Sequence, residues 1–259
     1  MKKIDRIIAA LTISALIASI SYGQTNSIEE VMDRVLEIIS GDDYPAVSVY
    51  LEKQGEPLQV MDTYSNVVKK LYFAEKGAKS LVIVGKAGIA YCEAKAKSIF
   101  ETDPDLAYKY RSWAKTIAYD ISANTWPGWN DEGVVISAED MAEGKKMAEF
   151  NLKMANELNK PQDKIAIAYW LLGAHEIAAQ AYSKAIIAFE KGKELHSDDP
   201  LGSALCEGFI GISQILSGNT SSGESRLNAA LKIFENDGGE DAKFYIWQLN
   251  TALEVFSRS

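Results

Sequence analysis

The chain has 259 residues, of which 47% are hydrophobic and 24% charged, with a formal net charge of −9. That composition is ordinary for a globular protein, and its acidic field makes nucleic acid and anionic membrane poor partners. Only two histidines and two cysteines are present, and no CxxC or His cluster gives them metal-ligand spacing, so neither a metal nor another cofactor is called for.

The chain begins with Met1, Lys2, Lys3 and Arg6, runs apolar from Ile7 to Ile20, and passes through Ser21-Tyr22-Gly23 before Gln24. A basic start, a short apolar stretch and small residues before a candidate cut describe a cleavable secretory signal of bacterial type, with cleavage expected after Gly23. No Cys follows the run, so a lipoprotein anchor is excluded. Taking the net +2 of residues 1–23 from −9 leaves −11 on a mature chain expected in the periplasm or outside the cell, with no membrane span after cleavage.

Ser27-Ile28-Glu29-Glu30 has the form of a capping box, and Ile28, Val31, Met32, Val35, Leu36 and Ile39 recur at helical spacing up to Gly41. The segment Tyr44 to Gln54 is short, and Gly55 with Pro57 punctuates it before a second helix from about Leu58 to Glu75. Leu81-Val82-Ile83-Val84-Gly85 is apolar enough for a strand, but the Ala-rich periodic continuation to Phe100 favours a buried helix. Gly85-Lys86-Ala87-Gly88 lacks the glycines and the hydroxyl of a phosphate loop.

Asp103-Pro104-Asp105 stops one helix and starts the next, which carries a stripe of Leu106, Tyr110, Trp113, Ile117 and Ile121 and ends near Ser122. Residues 123–136 hold Asn, Pro, Gly and Asp around Trp126 and Trp129, the longest run of turn chemistry in the chain. Ser137-Ala138-Glu139-Asp140 then caps a helix reaching about Leu158.

From residue 166 onward two helix pairs follow in succession. In the first, Tyr169, Leu172 and Gly173 are followed by Tyr182, Ala185, Phe189 and Gly192; in the second, Gly211, Gly218, Gly223, Leu227 and Ala230 keep part of the same spacing, with Glu207 in place of the early aromatic. These residues resemble the tetratricopeptide repeat, in which an aromatic and Leu-Gly on one helix lock against small residues and an aromatic on the next. Gly173 and Gly211 stand 38 apart, against about 34 in a regular array, so the turn at Ser197 to Pro200 is expected to be extended. Residues 73–106 hold a weaker, third candidate unit. A last helix, Asp241 to Phe256, caps the array with Phe244, Trp247, Leu249 and Leu253.

The resemblance implies an all-α fold of stacked antiparallel helix pairs whose concave wall comes from the first helix of each pair. Here that wall would be Ile167, Trp170, Ala174 and Ile177 with Leu205, Gly208, Ile212 and Ile215. Such a wall suits an apolar ligand, an apolar partner helix, or filling by the N-terminal helices or the Trp126 loop of the same chain. The exposure of Trp170 separates these cases. The expected organisation is a signal at 1–23, an N-terminal helical region at 24–160 and the repeat pairs at 161–259.

Trp126, Trp129, Asp131 and Glu132 form the best local candidate for a site, since indoles stack on sugars or apolar ligands and carboxylates accept hydroxyl protons. A glycosidase needs two carboxylates about 5 to 10 Å apart across a cleft, which neighbours in one loop rarely achieve. His175 reads as a packed helix residue and His196 as a helix C-terminal partner of the macrodipole. Cys92 and Cys206 read as buried thiols that an oxidising compartment permits to pair. The reading that results is a non-enzymatic exported scaffold binding a protein partner or a small apolar ligand. A carbohydrate-binding or carbohydrate-active envelope protein, and a periplasmic tetratricopeptide component of a solute-uptake system, are the alternatives.

Overall fold

A computed structural model describes residues 26–258; the secretory signal expected at 1–23 lies outside the described residues. Among these, eleven α-helices occur in chain order: α1 (Ile28–Ser40), α2 (Tyr44–Leu51), α3 (Pro57–Glu75), α4 (Lys79–Ile99), α5 (Pro104–Asn124), α6 (Ala138–Glu157), α7 (Gln162–Ala178), α8 (Tyr182–Leu195), α9 (Pro200–Leu216), α10 (Thr220–Asp237) and α11 (Glu240–Ser257). No helix among the described residues is long and apolar enough to cross a membrane.

Short polar side chains start these helices by satisfying amide groups that have no intrahelical acceptor. The Ser27 hydroxyl accepts from the Glu30 amide at 3.2 Å while the Glu30 carboxylate accepts from the Ser27 amide at 2.7 Å. Ser137 and Asp140 repeat the arrangement at α6, and Asp103 and Asp199 cap α5 and α9. The Asp43 carboxylate does the same for α2 by accepting from the Ala46 amide at 3.1 Å, with Pro45 in the first turn of a helix that periodicity leaves unassigned because eight residues span barely two turns.

The apolar run at Leu81 lies wholly inside α4, with Leu81, Val82 and Val84 buried. Gly85 belongs there for a steric reason: a Cβ would lie 2.6 Å from Ile121 Cδ1 on α5 and 3.3 Å from Val68 Cγ2 on α3. Its absence lets three helices close on one another.

Each helix packs on its successor, and α3, α5, α7, α9 and α11 also touch in sequence to make one row, backed by α4, α6, α8 and α10. This is an all-α, solenoid-like array of helix pairs. Two apolar cores run through it. The first takes the buried faces of α1 to α5, with Tyr64, Leu71, Leu81, Ile117 and Ile121. The second takes α7 to α11 together with Trp126 and Ala148. Cys92 belongs to the first and Cys206 to the second; both are free thiols, and burial raises each to about 12.

In the C-terminal pairs small residues set the helix separation. A Cβ at Gly173 would lie 2.7 Å from the Phe189 ring, and one at Gly211 would lie 2.7 Å from the backbone oxygen of Gly223. Gly223 returns the contact, its own added carbon falling 2.5 Å from the oxygen of Gly211. The extended turn before α9 is present as residues 196–199, and His196 there pairs with Asp199 at 3.1 Å.

Because the atoms facing Gly211 are backbone, they have little room to yield. Gly211→Ala is therefore expected to destabilise the chain by about 1 to 3 kcal/mol, read as a lower urea midpoint with an unchanged slope; an unchanged midpoint would contradict this packing.

Candidate functional site

Helix α5 divides its side chains between the two cores. Tyr110, Ala114, Ile117 and Ile121 join the first, whereas Tyr119 and Ala123 pack against the second. By three- and four-residue spacing, Ser112, Lys115, Tyr119 and Ala123 follow one another along that second stripe. It leads directly into the segment that carries Trp126 and Trp129.

Trp126 is fully buried, and its indole N–H donates to the backbone oxygen of Ala174 at 3.0 Å. Its ring meets Trp129 at 4.9 Å, Trp170 at 5.8 Å, and Phe209 and Phe256 at 6.0 Å each. Residues Pro127–Trp129 form a single 3₁₀ turn folded across it. Gly128 is required there, since a Cβ would sit 2.2 Å from the Trp126 ring.

The segment is tied down at both ends. Tyr72 on α3 donates its hydroxyl to Asp131 at 2.7 Å, and the Val135 amide donates to Lys76 O at 3.0 Å. At the other end His175 Nε2 meets the Ser122 carbonyl at 2.9 Å. Burial lowers the His175 pKa to about 4, so the ring is neutral at pH 7, and because a carbonyl only accepts, Nε2 carries the proton. Gly144 on α6 makes room for the junction, as an added Cβ would strike Thr125 Oγ1 at 1.8 Å and His175 Cε1 at 2.7 Å.

These contacts revise the expected groove. Trp170, Ala174, Ile177 and Ile212 are buried within the chain, and Trp126 fills the wall they form, so they serve as core and not as an open surface. Trp126 itself is core as well. Ile167 and Ile215 are half-buried. The filling has a physical basis: an indole covers a broad apolar wall and still satisfies its N–H at Ala174.

Trp129 remains half-buried. Its indole N–H donates to Ala123 O at 2.7 Å, and its ring lies at 8° to Trp247 with centroids 6.4 Å apart and at 27° to Phe244 at 6.3 Å. Phe244 and Trp247 are half-buried too, so the three rings make a partly exposed aromatic ledge beside α11. Asp131 is occupied by Tyr72 and Glu132 is exposed; the two carboxylates do not face each other across a cleft. No group of three or more His, Cys, Asp and Glu able to hold a metal occurs among the described residues.

Along the stripe from the ledge lies a second feature that sequence reading missed. Lys160 donates to Ser112 Oγ at 2.7 Å and to Tyr108 OH at 3.0 Å, and sits 4.5 Å above the Tyr108 ring. Lys115 has no ion pair among the described residues; burial first, and then the charges of Lys160 and Lys164, lower its pKa to about 8 against the opposing charge of Asp120. Asp120 is itself committed to Ser65 at 3.2 Å and Lys69 at 3.8 Å, and burial raises it to about 6. Lys164 contacts Asp163 at 3.2 Å. The only signal in the sequence was the four-residue step from Lys115 to Tyr119 to Ala123, obscured by the stronger apolar stripe on the opposite side of α5.

The folded pKa of Lys115 lies below its ordinary 10.5, so the unfolded chain holds that proton more tightly and the charge costs stability at every pH below about 8. The cost fades as pH rises toward 10.5. Lys115→Met keeps the stem and is expected to raise Tm at pH 7 by about 2 to 4 °C, equivalent to about 1 kcal/mol. The gain should vanish near pH 10.5; a lower Tm at pH 7 would mean that the ammonium is stabilising. No protein-family model matches the sequence, and no curated protein matches it either.

Proposed function

We propose that this chain is an exported, non-catalytic helical-repeat scaffold of tetratricopeptide type that holds a small apolar or aromatic ligand. The observation that carries the reading is the half-buried ledge of Trp129, Phe244 and Trp247, in which the Trp129 ring lies at 8° to Trp247 and 27° to Phe244, and those two are tilted at 34° to each other. Most apolar side chains of the inner row are buried in the core; these three are half-buried at its edge. Rigid aromatic surface that is already ordered loses little entropy when a flat ligand stacks on it. Export rests on the basic and apolar N-terminal segment, and absence of catalysis on the tethered state of Asp131, which leaves Glu132 without a facing carboxylate.

The same ledge could stack on a sugar face, and a titration separates the two ligands. The chain has five tryptophans, so two-dimensional NMR can follow five indole N–H signals during addition of indole or cellobiose. Indole is expected to shift Trp129 and Trp247, leave the buried Trp126 in place, and lose its effect in Trp129→Ala. Shifts with cellobiose alone would replace the reading with a carbohydrate-binding one. Glycoside hydrolysis lost in Glu132→Gln would overturn it.

A further inference from the structure

The segment that carries Trp129 changes cores part-way along. Trp126 and Trp129 pack into the second core, whereas Val134 and Ile136 pack against the first. Between them, Asn130, Asp131, Glu132 and Gly133 have no apolar side chain to hold them in either. The backbone turns through left-handed positions at Asn130 (φ 52°) and Gly133 (φ 76°). Within this change-over the Asp131 carboxylate accepts the Tyr72 hydroxyl at 2.7 Å.

Tyr72 is suited to serve as a fixed point. It is 2% exposed in the first core and meets Phe73 edge-on at 4.9 Å, so packing sets where its hydroxyl stands. Lys76, which ends α3 four residues later, accepts from the Val135 amide at 3.0 Å. Residues four apart share a helix face, so the end of α3 grips the segment at two places on one side. With Asp131 fastened, Asn130 alone separates the tether from Trp129. With Asp131 released, the hold on this side moves out to Val134 and Val135, and residues 130–133 regain backbone conformations. That freedom would have to be given up again whenever a ligand stacked on Trp129.

We propose that Tyr72 is a positioning residue for the aromatic ledge, holding Trp129 against Phe244 and Trp247 through its hydrogen bond to Asp131. The inference rests on the ligand-binding reading above and adds to it the part of the first core that sets affinity. Linked equilibria act in both directions. A ligand that stacks on Trp129 therefore favours the tethered arrangement, and protects the Val135 amide on the far side of Asp131.

Hydrogen exchange of the indole N–H groups, followed by NMR on the full chain, tests it alongside indole titration. In Tyr72→Phe and in Asp131→Ala the Trp129 N–H is expected to exchange about tenfold faster than in the unsubstituted chain, the size of one hydrogen bond, while the Trp126 N–H keeps its rate. Indole should bind both variants more weakly by a similar factor. Asp131→Asn retains an oxygen that accepts from Tyr72 and should restore both readings, and the double variant should be no worse than either single one. In the unsubstituted chain indole should slow exchange at the Val135 amide, an effect lost in Asp131→Ala. Unchanged Trp129 exchange or unchanged indole affinity in the two variants, or Asp131→Asn no better than Asp131→Ala, overturns the positioning role and leaves the ledge as a site. Trp126 and Trp129 exchanging faster together in Asp131→Ala would make the tether general support of the core, and overturns it too. Failure of indole to bind the unsubstituted chain overturns the ligand reading instead, and the Trp129 exchange rates then decide by themselves whether Tyr72 positions the ring.

Discussion

The indole of Trp126 determines what the inner row can offer. Seated on Ala174 and ringed by Trp129, Trp170, Phe209 and Phe256, it consumes the apolar wall that α7 and α9 would otherwise present. It also belongs to a segment whose far end is fastened to α3 by Asp131 and Tyr72. One connection between two helices thus closes the second core and ties it to the first. A broad aromatic with a single polar atom suits this role, because it buries a large area and leaves one hydrogen bond to satisfy.

From that placement the remaining features follow. With the wall filled, the aromatic surface still available shifts to Trp129 and to the α11 residues stacked against it. The Ser122 to His175 contact fixes the C-terminal turn of α5, which in turn fixes the direction of the stripe running back to Lys115. The Lys115 ammonium, half-buried and without an ion pair among the described residues, is a local conflict of charge and burial in an otherwise consistent fold. The position of Trp129 is thus referred to α5, whose orientation is set from both cores.

Much of this architecture was legible in the residues. Capping boxes at Ser27 and Ser137, the Asp-Pro step at Asp103, and the glycine and alanine spacing around Gly173 and Gly211 each express local chemistry, and each element begins or closes where that chemistry puts it. The α2 helix was not legible, since two turns are too few to show a period. Nor was the fate of the wall. Ile167, Trp170, Ala174, Ile177, Ile212 and Ile215 look alike in sequence whether they face a ligand or another part of the chain. Only the three-dimensional course of residues 123–136 shows that Trp126 fills the space while Trp129 stays at its rim. Lys160 was hidden for a related reason: it is distant from α5 in sequence and reaches Ser112 and Tyr108 only through the folding of the chain.

The most direct measurement of this account is the unfolding free energy of Trp126→Ala, with Trp126→Phe, which keeps one aromatic ring, as the comparison. Trp126→Ala is expected to lose about 3 to 5 kcal/mol in urea unfolding while keeping its helical circular dichroism, and Trp126→Phe to lose clearly less. A loss below about 1 kcal/mol, the range of ordinary surface substitutions, would show that Trp126 does not fill the inner face, and both the ledge and the stripe beside it would need another explanation.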